Sequence, residues 1–361
     1  MKKLIILVAC MGLVAAGAVS AQSNVTMYGI ADLGVVREMG GVNGSVTKLS
    51  SGAQLGSRLG FKGNEDLGNG LSALFLLEAG IAMDTGASTQ GGVLFGRQSY
   101  AGLSSTRAGT VTFGRQYSAV NNALCANDVF ACGLAGAALH LFSTGSKGVA
   151  AGGPTGNPAG NARMNNSIKY ATPTLGGFNG EFSYALGEVA GNNSANKEVD
   201  GSLSYSAGPL TVAVAYNAVT DTVGASTGRV TFLGGRYNFD VATLALSTEF
   251  NRGSYSALAN ALQTDSRDLL VGVAVPFGAS TFLFNYGRKN DRTAANHDAT
   301  MLAVGYTYSL SKRSNLYTSY GRMKDNAPNT ALNAGGFYTI GNALDAGTGD
   351  KAFNVGMRHF F

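Results

Sequence analysis

The chain has 361 residues, of which 13% are charged and 45% hydrophobic, with 52 glycines, 6 prolines, no tryptophan and a formal net charge of +5. A soluble domain carries about 25% charged residues, roughly double this share. After the first twenty or so residues no apolar run approaches the ~18 needed for a membrane helix, so the composition fits a membrane β-barrel, where only every second residue meets lipid.

Residues 1–21 read as a secretory signal. Lys2 and Lys3 precede a short apolar run, and Val19-Ser20-Ala21 places small residues before a cleavage expected between Ala21 and Gln22. Removing the two lysines leaves 24 basic and 21 acidic residues, so the exported chain stays mildly basic.

From Asn24 onward the text alternates in polarity. NVTMYGIADLGVVRE puts Val25, Met27, Gly29, Ala31 and Leu33 on one face and Tyr28 and Asp32 on the other. GSRLGFKG opposes Leu59 and Phe61 to Arg58 and Lys62, a turn is expected over Asn64–Gly70, and LSALFLLEA returns. FGRQSYAGL and TVTFGRQYS follow, carrying Arg97 and Arg115. An arginine inside a strand whose opposite face is apolar must point to water, so the wet side is a lumen and the apolar side meets lipid.

Alternation stops between Ser118 and Ala162. This stretch is long for a connection, holds a single acid (Asp128), and carries a short helix expected over Leu134–Phe142. It resumes from Asn166 and runs in eleven further segments to Phe361, for an expected total of sixteen strands. Val212, Val214 and Tyr216 share one face, as do Phe282, Phe284 and Tyr286. Short connectors alternate with long polar ones, the asymmetry of periplasmic turns and external loops in outer-membrane barrels. A propeller or sandwich would need blade repeats or Trp-rich cores, and neither is present.

These motifs together resemble the Gram-negative general porins, above all those of beta-proteobacteria: NVTMYGIADLGV, SRLGFKGNEDLGNGLSALFLLE, the pair FGRQSYAGL and TVTFGRQYS, and the terminal NVGMRHFF. The resemblance implies an all-β, 16-stranded antiparallel transmembrane barrel over residues 22–361, in the outer membrane. The third loop (118–162) would fold inward, and three copies would form a homotrimer. It places Arg58 and Arg97, and more loosely Arg163, at the pore constriction. Arg115 shares the motif, but strict alternation from Val111 and Phe113 turns it outward unless a bulge intervenes. The acidic loop tip of enterobacterial porins is absent; only Asp128 is available, with His140 and Lys147 nearby. Basic walls with few acids favour anions. Phe361 resembles the terminal signal read by the barrel-assembly machinery; the other expected partners are outer-membrane lipid, lipopolysaccharide and small anionic or neutral solutes, and not nucleic acid.

Enzymatic and metal motifs are missing from the sequence: no G-x-S-x-G elbow, no Walker loop, and no paired ligand spacing among His140, His297 and His359. No cofactor is implied. Cys125 and Cys132, seven apart in an exported chain, suggest a local disulfide. The expected function is passive diffusion of small hydrophilic solutes. A channel selective for organic acids or phosphate is the transport alternative, and an adhesin or barrel enzyme the alternative of another class.

Overall fold

The computed structural model describes residues 24–41, 44–143, 162–253, 264–294, 296–326, 340 and 349–361. The segment read as a signal, Lys147 and much of the long loops lie outside the described residues. The chain begins with β1 (Asn24–Gly41), β2 (Gly44–Ser51), β3 (Arg58–Gly68), β4 (Leu71–Gly80), β5 (Gln98–Ser105) and β6 (Gly109–Tyr117). Helix α1 (Ala119–Asn127) follows, then β7 (Arg163–Ala171), β8 (Phe178–Ala185), β9 (Glu198–Ala207), β10 (Leu210–Thr220), β11 (Thr227–Asn238) and β12 (Thr243–Gly253). The last strands are β13 (Thr264–Phe277), β14 (Ser280–Asp291), β15 (Ala299–Ser309), β16 (Ser314–Asp325) and β17 (Lys351–Phe360).

From β3 onward every strand pairs antiparallel with the next. The ring closes through β1, which pairs along one edge with β17 (Ile30↔Phe360 to Met39↔Lys351). Its other edge is shared in succession by β2 (Leu33↔Ser51) and β3 (Asn24↔Asn64). These two are halves of one stave interrupted at 52–57, so the closed barrel has sixteen staves. Closure leaves no unpaired edge, which is what lets a sheet span lipid.

The alternation decides which face is which. In β14 Phe282, Phe284 and Tyr286 are exposed outward while Leu283, Asn285 and Gly287 are buried inward. Val212, Val214 and Tyr216 are likewise outward and about 40% exposed, a lipid-facing wall.

Three local expectations change. GSVTKLSS forms β2, unanticipated because its only large apolar residues are Val46 and Leu49. The turn expected over Asn64–Gly70 shrinks to Asn69 and Gly70, both at positive φ (53° and 76°), because β3 stays paired through its polar end. The loop helix lies at Ala119–Asn127 rather than Leu134–Phe142, where only a 3-10 turn at Ala138–His140 forms. Ser118 caps α1 by accepting the Asn121 N–H at 3.1 Å.

The described part of the loop, 118–143, lies against the buried inner faces of strands on the far side of the barrel. Asp200 of β9 accepts the Ala119 N–H, Ser319 Oγ of β16 accepts the Ala135 N–H, and Glu249 of β12 accepts the Ser143 N–H. Val120, Leu124, Leu141 and Phe142 are fully buried against Val230, Phe232, Leu270 and Met301. Each such side chain stabilises by about 2 kcal/mol. The apolar core of this protein therefore sits inside the tube, between loop and wall.

Candidate functional site: the arginine wall

The wall left uncovered by the loop is built by β1 and β3 to β7. β1, β3, β4, β6 and β7 each deliver one side chain to a common cluster, and Arg97, immediately before β5, adds the sixth. Glu78, near the end of β4 and only 2% exposed, lies at its centre. Its Oε1 accepts Arg97 Nε at 2.8 Å and lies 3.5 Å from Arg58 Nη1; its Oε2 accepts the Tyr28 hydroxyl at 2.8 Å. Arg97 Nη2 and Arg163 Nη2 both donate to the Tyr117 hydroxyl, at 2.6 and 2.7 Å. Tyr117 also lies under the Arg163 guanidinium, 4.5 Å from ring centroid to Cζ.

Three guanidinium groups thus share one carboxylate, a local charge of +2. Their donors outnumber the acceptors: Arg58 Nη2 and Arg163 Nε have no hydrogen-bond partner. Glu78 on β4 bridges Arg58 of β3 and Arg97 at the start of β5, which would otherwise repel each other across the intervening stave. The sequence signal for Glu78 was a lone carboxylate in an otherwise apolar run, LSALFLLEA. Tyr117 is the last strand residue before the loop and had no distinguishing signal.

Arg115 stands apart from this cluster. A register shift between Gly114 and Gln116 interrupts the pairing of β6 with β7. Gly114 at φ +137° permits the bulge: a Cβ there would sit 2.2 Å from the Ser99 carbonyl oxygen. Beyond it Arg115 donates to the Gly96 carbonyl at 2.8 Å and to Asn165 Oδ1, not to Glu78 or Tyr117.

Asp128 does not supply an acid across the pore. It is 4% exposed, and its two oxygens accept the N–H groups of Phe130, Cys132 and Ala138 and the amide of Asn285, at 2.8–3.0 Å. Burial pushes its carboxyl above the ordinary value while those four donors oppose the rise. It ties the loop to itself and to β14. His140, beside it in the loop, is pushed down to about 4 by burial although one edge remains accessible, so it is neutral at pH 7 and adds no cation. Cys125 and Cys132 are bonded, with Cα atoms 5.1 Å apart, joining the last turn of α1 to the segment that Asp128 organises.

Phe361 closes the ring: its N–H and carbonyl exchange hydrogen bonds with Gly29, at 3.1 and 3.0 Å. Its ring lies where a Gly29 side chain would be.

A closed, lipid-faced barrel with a charged inner wall and an internal loop is an outer-membrane channel. The sequence model of the Gram-negative porins matches residues 7–328. Outer membrane porin protein 32 of Delftia acidovorans is 34% identical over the whole of both chains. An outer membrane porin of Bordetella pertussis is 30% identical, covering 89% of this chain and 95% of the relative. Among solved structures, an anion-selective porin from Comamonas acidovorans matches with a TM-score of 0.79 at 29% identity, over 94% of this chain and 100% of that one. The trimer form of OmpT from Vibrio cholerae shares the fold, with a TM-score of 0.65 at 17% identity. The chain belongs to the Gram-negative porin family and resides in the outer membrane.

Proposed function

We propose that the protein is a passive diffusion channel for small hydrophilic solutes that favours anions, with Arg58, Arg97 and Arg163 as the selecting residues. The observation that carries this reading is the surplus of guanidinium charge around the single carboxylate of Glu78. A net charge of +2 at roughly 7 Å is worth about 1 kcal/mol in water, and more where the dielectric is lower. It acts within a screening length of about 8 Å, comparable to a narrow pore radius. That is a severalfold bias toward anions and an equal one against cations. Size exclusion comes from the loop. The carboxylates opposite do not offset the arginines, because Asp200 and Glu249 face the loop's own N–H groups.

The same reading includes export by the segment 1–21, assembly as a homotrimer, and Phe361 as the residue the assembly machinery recognises. The trimer form of a fold relative and the pairing of Phe361 with Gly29 support the last two. Reversal potentials of the reconstituted channel under a salt gradient test selectivity. Chloride preference is expected, and Arg58→Ala with Arg97→Ala should abolish most of it. A cation preference unchanged by that double substitution would overturn the proposal.

A further inference from the structure

Glycine weakens the interior of a strand, and a physical use for it there is to let another part of the chain come close. The far wall carries four such glycines on four consecutive strands: Gly272 of β13, Gly287 of β14, Gly305 of β15 and Gly321 of β16. All four are buried at inward positions. Their cross-strand partners Asn285, Leu270, Leu283 and Ala303 are buried inward residues of the same wall.

The loop fills the space above each of them. A Cβ on Gly272 would sit 2.9 Å from Val129 Cγ2, one on Gly287 2.6 Å from Leu141 Cδ1, and one on Gly305 2.8 Å from Phe130 Cε1. On Gly321 it would overlap the carbonyl oxygen of Ala135, a backbone atom. Ordinary contact is about 3.5 Å, so one methyl group at any of the four must displace something. The wall is the stiffer side, because β13 to β16 are each paired along both edges. Hydrogen bonds hold the loop in the same place: Asn285 donates to Asp128 and to the Gly136 carbonyl, and Ser319 Oγ accepts the Ala135 N–H. On the arginine wall the equivalent space is taken by the wall itself, as where the Tyr28 ring covers Gly60.

We propose that these four glycines are positioning residues for permeation. They set how deeply the loop sits against β13 to β16, and hence the width of the gap it leaves before the arginine wall. The inference rests on the reading that the loop supplies size exclusion. A methyl group added on the far wall moves 129–141 toward Arg58, Arg97 and Arg163 by up to about 1 Å, the shortfall from ordinary contact.

The test measures single-channel conductance and liposome swelling in neutral sugars of graded size, on the full folded protein. G321A should lower conductance by roughly 1.5-fold or more and move the cut-off to smaller sugars, as a narrower pore requires. G305A should act in the same direction. Adding F130L to G305A should return both readouts to those of F130L alone, because leucine lacks the ring atoms that meet the new methyl group. G235A, whose Cβ lies beside the outward Val212, should change neither. Thermal midpoints identify a variant that is merely destabilised, which would conduct like wild type once folded. Wild-type conductance and cut-off in folded G321A and G305A would overturn the proposal, as would a fall in G305A that F130L does not relieve. Should G321A not fold, G305A with its F130L partner decides alone. Excision of 119–161 separates the two readings. An unchanged cut-off there would overturn loop-based exclusion itself, whereas a cut-off that rises on excision but ignores the glycines overturns this inference alone.

Discussion

Glu78 shows how one carboxylate can serve a cationic wall. Held by two arginines and Tyr28, and almost fully buried, it cannot be removed without leaving Arg58 and Arg97 facing each other. Glu78→Gln should therefore lower stability by on the order of 3 kcal/mol, the cost of breaking a buried pair, while raising the local charge from +2 to +3. The expected result is a lower thermal midpoint together with stronger chloride selectivity. An unchanged midpoint would place the pair in solvent rather than in the wall. His140 gives the residue-scale pH dependence. Its folded-state pKa of about 4 lies below the ordinary 6.5. Between those values the unfolded chain binds the extra proton, so this contribution to stability is complete above pH 6.5 and is lost as pH falls toward 4. Thermal midpoints at pH 7 and 4.5 should differ more for the wild-type protein than for His140→Gln.

At the scale of elements, the staves were largely legible and the loop was not. Strand faces could be read because their cause is local: lipid on one side and water on the other impose a period of two, as in Val212, Val214 and Tyr216. GSVTKLSS escaped because its two large apolar residues, Val46 and Leu49, fall on opposite faces, so the alternation carries no contrast. The loop follows a different rule. Leu134, Leu141 and Phe142 look like a helical face in sequence, but they pack on scattered strands of the inner wall, and no local period records that. The true helix was signalled only by its cap, Ser118. Of the site, Arg58 and Arg97 were legible as charges in strands, and Arg163 through the family pattern. Glu78 and Tyr117 were not, because their importance lies in contacts 19 to 46 residues away along the chain. Asp128 was misassigned for the converse reason: a lone loop acid looks available until its oxygens are seen to be occupied by loop amides.

At the scale of the whole molecule, charge is sorted into compartments. Arginines hold the open wall, and most inner carboxylates lie beneath the loop. Asp200, Glu249 and Asp268 are each no more than 1% exposed, and among the described residues Lys289 and Lys169 are the cations that sit among them.

The loop is therefore also a mask over the negative half of the tube. A porin from which residues 119–161 had been excised would not become a wider version of the same filter. It would uncover Asp200, Glu198, Glu249 and Asp268 opposite the arginines, and conductance should rise while the sign of the reversal potential weakens or inverts. If conductance rose with chloride selectivity intact, those carboxylates would be irrelevant to permeation. Ion preference in this barrel is thus a property of what is covered as much as of what is displayed, and it could be reversed without changing a single arginine.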